Sequence, residues 1–349
     1  MNQGQSFSRK ILEWYGKNQR PLPWRTTRNP YYIWLSEIIL QQTRVAQGTS
    51  YYHSFVAAFP SVFDLAQATE EQVLKLWQGL GYYSRARNLH KTARLVVDQY
   101  DGIFPQRYDQ LLTLPGVGPY TAAAIASICF DQEKAVVDGN VFRVLSRYFG
   151  IDMPINTTKG QKHFSVVAQS LIQGTNPGVY NQAVMEFGAL TCKPQSPDCS
   201  ACPLTDGCWA LQHQQTTHLP VKLPKKAVKN RYFNYLVPLT DNGHTIFLQR
   251  THKDIWHKLY EFPLVETHTA VDFKVLCKQP LFPDWIDSSG CYLYNEKPWV
   301  HKLTHQHIHA YFWIVPSAVP PKNQLISIQS IYEFPVHRLI DRFLHKFFD

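Results

Sequence analysis

Residues 114–122 read Leu-Pro-Gly-Val-Gly-Pro-Tyr-Thr-Ala, and an apolar run follows them to Phe130. The glycines at 116 and 118 let the backbone approach a ligand closely, and Pro119 suits the first position of a helix. A helix that begins there points free N–H groups outward, where they favour an anion such as a phosphate. By itself a glycine pair before a helix is more often a tight turn, so both interpretations stay open.

The charge distribution of the chain adds weight to a phosphate ligand. Its 349 residues include 35 Lys and Arg against 26 Asp and Glu, a net charge of +9. Residues 1–229 hold 23 basic and 15 acidic side chains, whereas residues 230–349 hold 12 and 11, so the excess belongs to the N-terminal part. We therefore expect a polyanionic partner, nucleic acid or an anionic membrane, with an ordinary basic surface as the alternative.

Composition and hydropathy exclude several classes of protein. With 44% hydrophobic and 17% charged residues the chain is too apolar to be disordered, and its length predicts two domains. No segment approaches the roughly 20 apolar residues that span a bilayer, and residues 1–10 lack the apolar core of a signal peptide. We therefore expect a cytoplasmic protein without a membrane partner or a disulfide framework.

The pattern of apolar residues predicts an all-α domain followed by an α+β domain. Residues 1–212 show mostly helical spacing, and residues 213–230 are polar and rich in lysine, as expected of a linker. Residues 231–349 contain strand-like runs and a closing helix from about Val336 to Phe347. Between two of these runs, Asp241-Asn242-Gly243 predicts a hairpin turn.

Four of the seven cysteines crowd into residues 192–208. Cys192, Cys199, Cys202 and Cys208 have the spacing Cys-x6-Cys-x2-Cys-x5-Cys, and four thiolates so close together usually share a metal. Structural zinc sites favour two short paired turns, whereas iron–sulfur ligation tolerates uneven spacing. The spacing therefore favours a 4Fe-4S cluster, with zinc and unligated buried cysteines as alternatives.

Two carboxylates stand in apolar surroundings. Glu37 interrupts the segment Ile33–Leu40, where burial would raise its pKa and keep a proton available near neutral pH. Asp138 follows the apolar run 135–137. The alternatives are a solvated helix position for Glu37 and a helix cap for Asp138. One protonated and one ionised carboxyl would suit cleavage of a glycosidic bond through an oxocarbenium-like transition state.

An aromatic pair follows glycines in Gly79-Leu80-Gly81-Tyr82-Tyr83, and Arg85 and Arg87 come next. Rings that stack on bases or wedge into a duplex need such a setting, whereas core packing is the alternative. The nearby arginines favour a contact with DNA.

Together these features resemble the MutY adenine DNA glycosylases of the helix-hairpin-helix superfamily. The matching segments are Leu-Pro-Trp-Arg (22–25), Trp-Leu-Ser-Glu-Ile-Ile-Leu-Gln-Gln-Thr (34–43), Gly-Leu-Gly-Tyr-Tyr-Ser-Arg-Ala-Arg-Asn-Leu (79–89), residues 114–122, Val-Asp-Gly-Asn-Val (137–141) and the four cysteines. The resemblance implies a glycosylase domain over residues 1–212, with the helix-hairpin-helix at about 110–130, and a MutT-like domain over residues 231–349.

The resemblance also implies a role for each matching residue. Glu37 would protonate adenine at N7 and help to activate water, and Asp138 would stabilise or capture the sugar cation with support from Tyr120 and Asn140. Adenine must flip out because the reacting bond is inaccessible within the base stack. The adenine pocket would comprise Trp24, Arg25, Leu40 and Gln182. The contacts with DNA would come from Gln42 and Tyr82 as a wedge, from Arg85, Arg87 and Arg143, and from Leu114, Gly116, Val117 and Gly118 of the hairpin.

In the C-terminal domain, Thr304 and His305 would recognise 8-oxoguanine. The family more usually has Phe-Ser-His where this chain has Leu303-Thr304-His305, so the hydroxyl and the imidazole are kept and the aromatic ring is lost. Four histidines between residues 301 and 309 leave metal binding as an alternative, although alternate positions on a strand face explain them better. The glutamate-rich Nudix motif is absent after Phe262, so this domain is expected to bind and not to hydrolyse.

Tyr120 decides the expected reaction subtype. Relatives similar to endonuclease III that also cleave the strand carry a lysine at this position, and a phenol cannot form a Schiff base. The resemblance therefore implies a monofunctional enzyme that excises adenine opposite 8-oxoguanine or guanine in duplex DNA. It also implies a nucleoid-associated monomer of bacterial type with one 4Fe-4S cluster, and it allows a monovalent cation at the hairpin. An endonuclease III-like lyase and a non-catalytic sensor of damaged DNA are the alternatives.

Overall fold

The computed structural model describes residues 3–224, 228–287, 289–316, 321 and 325–349. The chain forms two compact units, one from residues 1–67 and 88–224 and the other from residues 68–87 and 225–349. Residues 68–87, which we expected in the helical domain, thus belong to the α+β unit. Lys225 and Lys226 of the expected linker lie outside the described residues. In the described part, no helix is long and apolar enough to cross a membrane.

The N-terminal two thirds of the chain are helical, as predicted. The helices are α1 Gln3–Asn18, α2 Pro30–Leu40, α3 Val45–Ala58, α4 Val62–Gln67, α5 Glu70–Leu76, α6 Ser84–Tyr100, α7 Tyr108–Leu111, α8 Pro119–Phe130, α9 Gly139–Phe149, α10 Thr158–Ile172, α11 Pro177–Leu190 and α12 Trp209–Gln212, with short 3-10 turns at Pro23–Arg25 and Thr205–Gly207. Of these, α5 belongs to the second unit, and the boundary between the units falls within α6.

Helices α2 and α8 form the centre of the first unit. Every residue from Ile33 to Ile39 and from Thr121 to Ile128 is buried. The two helices pack against each other, and α11 packs against α1, α8 and α9. A helix that is apolar on all sides belongs in the core, so polar side chains at the ends of α2 and α8 are held by rigid surroundings.

The glycine-containing turn between α7 and α8 exposes its backbone. Gly116 has a φ of +76°, and a Cβ there would come within 2.7 Å of a neighbouring side chain, so only glycine fits. Helix α8 begins at Pro119 as predicted, and no side chain caps its first N–H groups. Leu114 and Val117 are buried beneath the turn, whereas Gly116 and Gly118 are exposed. Free backbone N–H groups are therefore available at this turn.

The second unit is an α+β structure, as predicted. Its strands are β1 Lys229–Pro238, β2 His244–Ile246, β3 Leu248–Gln249, β4 Tyr260–Glu261, β5 Leu264–Thr267, β6 Tyr292–Leu293, β7 Trp299–Lys302, β8 Gln306–Val315 and β9 Leu325–Ser327, and its further helices are α13 Phe273–Leu276, α14 Arg338–Phe347 and a 3-10 turn at Ile328–Glu333. The main sheet has the order β5-β1-β8-β6, and β7 also pairs with β8. Strands β1 and β8 are parallel, and the other pairs in this sheet are antiparallel.

The predicted hairpin at Asp241-Asn242-Gly243 forms only its turn. Gly243 has a φ of +72°, and its N–H donates a hydrogen bond of 3.1 Å to the carbonyl of Thr240. The flanking strands do not form a ladder with each other, because β5 and β8 occupy both edges of β1 while β2 pairs with β9. The closing helix, expected from Val336, begins at Arg338.

Strand β8 is buried on both faces along its second half. Phe312 stacks on Phe343 of α14 with the ring centroids 4.1 Å apart. On the other face, Trp313 and Val315 join a buried cluster with Leu236 of β1. Because side chains alternate along a strand, a sheet covered on both sides explains the continuous apolar end of β8.

Candidate active site

A cavity of about 200 Å³ in the first unit brings together eight residues that the sequence associated with catalysis or the adenine pocket. Its walls include Trp24, Arg25, Glu37, Leu40, Tyr120, Asp138, Asn140 and Gln182. These residues come from the first 3-10 turn, from α2, from the beginnings of α8 and α9, and from α11. Tertiary folding therefore assembles the cavity from segments that are distant in sequence.

Glu37 lies inside the helical core and not at a solvated helix position. The residue is 8% exposed, and the hydroxyl of Tyr120 donates a hydrogen bond of 2.6 Å to its Oε2. Burial is the largest influence on the pKa of Glu37 and raises it to about 7; Asp138 also raises this pKa, whereas Tyr120 and Arg25 lower it. Near neutral pH, a large fraction of Glu37 therefore carries the proton that a general acid needs.

Asp138 is both the cap of α9 and part of the cavity wall. Its Oδ1 accepts hydrogen bonds from the backbone N–H groups of Asn140 (2.9 Å) and Val141 (2.7 Å), and its Oδ2 accepts one from the Asn140 amide (2.8 Å). Burial raises the pKa of Asp138, and these donors together with Arg143 act against that rise. Because N–H donors favour the ionised form, Asp138 is the better placed of the two carboxyls to hold a negative charge.

An ion triad in the wall of the same cavity was missed by the sequence analysis. Glu186 of α11 is 2% exposed, and the guanidinium groups of Arg20 and Arg25 each donate two hydrogen bonds to it, over 2.6–2.9 Å. Burial would raise the pKa of Glu186, but the hydrogen bonds from both arginines lower it to about 2. A signal for this residue existed, because Glu186 stands between Met185 and Phe187 in an apolar helix, the same pattern that singled out Glu37.

An open groove of about 550 Å³ joins the two carboxyls to the glycine turn. It is bordered by Glu37 and Asp138, by Gly116 and Gly118, and by Gln42. Gln42 is exposed and has a φ of +57°. A DNA strand with its phosphate bound at the exposed turn would thus run past both carboxyls.

Arg143 faces the interior, in contrast to the predicted contact with DNA. The residue is 8% exposed, its Nε donates a hydrogen bond of 2.7 Å to the carbonyl of Cys192, and its Nη2 donates to the carbonyl of Gly188 (2.6 Å) and to Oδ1 of Asn140 (2.9 Å). A guanidinium committed to these acceptors ties the beginning of α9 to the first cysteine. Arg143 is therefore better explained as a structural residue.

The other two predicted DNA-binding arginines make contacts within the second unit. Arg87 donates a hydrogen bond of 2.8 Å to the carbonyl of His257, and the guanidinium of Arg85 lies 5.0 Å from the centre of the Trp77 ring. Burial lowers the pKa of Arg85 to about 10. Tyr82, by contrast, is 50% exposed. Its ring is on the surface, as a wedge residue requires, and the contacts of all three with DNA stay predictions.

A cavity of about 380 Å³ in the second unit is lined by Tyr82, Thr304 and His305. The hydroxyl oxygens of Tyr82 and Thr304 are 2.8 Å apart. Thr304 and His305 are exposed at a tight turn, in which the N–H of Leu303 donates a hydrogen bond of 2.8 Å to the carbonyl of Gln306. The fold therefore brings Tyr82, one of the two predicted wedge residues, and both predicted recognition residues to one cavity.

The histidines between residues 301 and 309 occupy separate environments. His301 packs edge-on to Trp256 with the ring centroids 5.6 Å apart, and His309 stacks on Tyr232 at 4.8 Å. Among the residues that the structure describes, no three His, Cys, Asp or Glu side chains are grouped so that they could hold a metal ion.

The four cysteines of residues 192–208 form no disulfide bond. Burial raises the pKa of Cys199, Cys202 and Cys208, that of Cys202 to about 11, and the neighbouring thiols add to each rise. Backbone N–H groups donate to the sulfurs of Cys202 and Cys208, and Nη1 of Arg147 lies 3.5 Å from the sulfur of Cys192. Such donors stabilise thiolates, so this segment suits a group that takes four thiolate ligands.

The sequence matches a family model for the HhH-GPD superfamily base excision DNA repair protein over residues 35–169. It is 36% identical over 262 residues to the adenine DNA glycosylase of Buchnera aphidicola subsp. Schizaphis graminum, a match that covers 75% of each chain. It is 45% identical over 223 residues to the adenine DNA glycosylase of Mus musculus, which covers 61% of this chain and 43% of that protein.

Solved structures show the same fold in the first unit. A thermostable thymine-DNA glycosylase has 31% sequence identity and a TM-score of 0.56, over 60% of this chain and 97% of that one. Endonuclease III in a non-covalent complex with DNA has 23% identity and a TM-score of 0.53, over 61% of this chain and 99% of that one. The helical unit therefore has the fold of DNA glycosylases.

Proposed function

Because the chain belongs to the adenine DNA glycosylase family of base excision repair enzymes, we propose that it removes adenine mispaired with 8-oxoguanine or guanine in duplex DNA. The observation that carries this proposal is the pairing of Glu37 and Asp138 in one cavity. Burial gives Glu37 a pKa of about 7, and three N–H groups donate to Asp138. This is the pair of environments that cleavage of a glycosidic bond needs.

In the proposed reaction, Glu37 is the general acid. It gives its proton to N7 of the flipped adenine, which becomes a better leaving group as the electrons of the glycosidic bond move to the base. The sugar becomes an oxocarbenium ion, which the negative charge of Asp138 stabilises. Water then adds to the sugar carbon, and Glu37 accepts the proton that the water loses.

Tyr120 limits the reaction to base removal. It points its hydroxyl at Glu37 over 2.6 Å, and no lysine is among the described residues that line the cavity. A Schiff base with the sugar needs an amine. The product is therefore an abasic site in an intact strand.

The second unit reads the base opposite adenine. In our proposal, the hydroxyl of Thr304 and the imidazole of His305 bind 8-oxoguanine, and the exposed ring of Tyr82 wedges into the duplex together with Gln42. The common cavity of Tyr82, Thr304 and His305 supports this assignment. A hydroxyl both donates and accepts, so it can respond to the N7–H that distinguishes 8-oxoguanine from guanine.

The four cysteines hold a 4Fe-4S cluster in this proposal. The mutual influence of their thiols and the N–H donors at their sulfurs support a shared group. Cys192, Cys199, Cys202 and Cys208 would supply the four thiolate ligands that such a cluster needs. These four residues would thereby tie together the segment between α11 and α12. Iron and sulfide analysis tests the assignment, and stoichiometric zinc would overturn it.

A single-turnover assay tests the proposed activity. Duplexes with adenine opposite 8-oxoguanine are incubated with enzyme and analysed with and without hot alkali. Wild type should release adenine and give strand breaks only after alkali. Glu37→Gln should lose at least a hundredfold in rate, because it has no proton to donate. Glu13→Gln is the matched control, since Glu13 is exposed in α1 and should leave the rate unchanged.

The same duplex series separates the other functions. Thymine release from a T:G duplex without adenine release would favour a thymine-DNA glycosylase activity, as in the name of the solved relative. Strand breaks without alkali, together with borohydride trapping of the wild type, would favour an endonuclease III-like lyase. Tight binding without release of any base would favour a non-catalytic sensor.

A further inference from the structure

Glu186 binds two arginines in one compact ion triad. Nε and Nη2 of Arg20 donate to its two carboxylate oxygens over 2.8 and 2.6 Å, and Nη1 and Nη2 of Arg25 do the same over 2.9 Å each. The backbone N–H of Arg20 adds a fifth hydrogen bond of 3.0 Å, and Nη1 of Arg25 also donates to the carbonyl of Arg20. Two bidentate pairs on one carboxylate fix both guanidinium groups.

Water screens the charges of this triad weakly. The side chain of Glu186 is 1% exposed, that of Arg25 12% and that of Arg20 32%. Two guanidinium groups and one carboxylate give the triad a net charge of +1. Removal of the Glu186 charge would double the positive charge at a place where Coulomb interactions are strong.

The triad shares its cavity with Glu37, and charge reaches Glu37 from three other elements. Arg25 belongs to the 3-10 turn packed against α2 and lowers the pKa of Glu37, Tyr120 of α8 lowers it through its hydrogen bond, and Asp138 before α9 raises it. From α8, Cys129 also interacts with Glu37. Helix α3 adds only the apolar Val45 to the wall.

We propose that Glu186 is a positioning residue for base excision, which holds Arg20 and Arg25 in place and limits the positive charge that faces Glu37. Without this counter-charge, Glu37 would lose its proton at a lower pH and be a poorer acid near neutrality. The additional charge would also oppose the cation that develops on the sugar. This inference rests on the proposed function, because it assigns Glu186 a part in the same reaction.

The test is the pH dependence of the single-turnover rate of adenine release. The rate falls as pH rises through the pKa of Glu37, and this falling part of the pH profile is its basic limb. Glu186→Gln should move the basic limb to lower pH by roughly one unit. Glu186→Gln combined with Arg20→Gln restores a net charge of +1 and should bring the limb back, even if the maximal rate stays low. Arg20→Gln alone leaves a neutral pair of Arg25 and Glu186 and should move the limb to higher pH.

The matched control removes a carboxylate that pairs with an arginine outside the cavity. Asp131 pairs with Arg28, and both side chains are more than half exposed, so Asp131→Asn should leave the limb where it is. A limb that stays at the wild-type pH in Glu186→Gln and Arg20→Gln would overturn the inference. If Glu186→Gln does not fold, Arg20→Gln alone tests the inference, because its basic limb should move to higher pH.

Failure of the proposed function has a different signature. If the wild type releases no adenine, the proposed function is wrong, and the role of Glu186 is then read from the free protein. ¹³C NMR of glutamate-labelled enzyme follows the titration of Glu37, with the signal assigned by its loss in Glu37→Gln. The same opposite shifts in Glu186→Gln and Arg20→Gln would support the charge effect, and an unshifted titration would overturn it.

Discussion

The hydroxyl oxygens of Tyr82 and Thr304 lie 2.8 Å apart, although 222 positions separate the two residues in sequence. The hydroxyl of Thr304 therefore has a partner before DNA binds. Recognition of 8-oxoguanine by Thr304 would exchange this hydrogen bond for one with the base, and such an exchange changes the free energy by only a small amount. The contact thus holds the side chain of Thr304 in position, and its exchange for a hydrogen bond with a base would cost little.

Thr304→Val should reduce the preference for adenine opposite 8-oxoguanine over adenine opposite guanine by roughly tenfold. The change keeps the shape of the side chain and removes the hydroxyl, and a lost hydrogen bond to a buried base costs about 1–3 kcal/mol. The measurement is the ratio of single-turnover rates on the two duplexes. Tyr82→Phe is the matched variant, since it breaks the same contact but keeps the ring, and its ratio should stay near that of wild type. An unchanged ratio in Thr304→Val would exclude Thr304 as the reader.

Glu37→Gln should be more stable than wild type at pH 8 and about equally stable at pH 4. Burial raises the pKa of Glu37 from its usual 4.5 to about 7, so the folded protein favours the protonated carboxyl and loses stability as pH rises through that window. A glutamine avoids this loss, and we expect a gain of roughly 2–3 kcal/mol in the free energy of unfolding at pH 8. Urea unfolding at the two pH values checks the prediction. Equal effects at both would mean that Glu37 is not held in its protonated form.

Tyr120→Phe should move the basic limb of adenine release to higher pH. The hydroxyl of Tyr120 donates to Glu37 over 2.6 Å and lowers the pKa of that carboxyl, so its removal leaves burial less opposed. The maximal rate should fall as well, because Glu37 loses the contact that orients it. The pH profile of the single-turnover rate separates the two effects. A limb that moves to lower pH would show that the hydroxyl stabilises the protonated carboxyl instead.

A cavity residue could be predicted where its chemistry produces an unusual local sequence pattern. Glu37 is recognisable as a carboxylate within an apolar helix. Glu186 shows the same pattern, although it was not among the predicted site residues. Arg143 has no sequence pattern that indicates burial. It stands on the strongly amphipathic α9, where arginines usually face solvent, and its acceptors are carbonyls that only the folded chain brings near.

The domain boundary was missed for a related reason. Residues 68–87 have helical spacing and adjoin helices on both sides, so their pattern predicts membership of the helical domain. Their partners lie more than 250 positions away: Lys75 donates to the carbonyl of Phe334 over 3.2 Å, and Gln78 donates to Asp341 over 2.8 Å. Contacts that polar side chains make with distant backbone or side-chain groups leave no periodicity in either segment.

Arg143→Gln should lower the free energy of unfolding by about 2–4 kcal/mol and leave the salt dependence of DNA binding unchanged. The substitution leaves the buried carbonyl of Gly188 and the partly buried carbonyl of Cys192 without their charged donor, and unpaired acceptors away from water are costly. A residue that neutralises a phosphate behaves in the opposite way, because its removal reduces the slope of log K against log salt by about one and has little effect on folding. Urea unfolding and binding titrations at several salt concentrations distinguish the two roles.

Arg107→Gln is the control for stability, since Arg107 is exposed and pairs only with the neighbouring Asp109 among the described contacts, so its unfolding midpoint should match that of wild type. A reduced salt slope with unchanged stability in Arg143→Gln would restore the DNA contact that the sequence predicted.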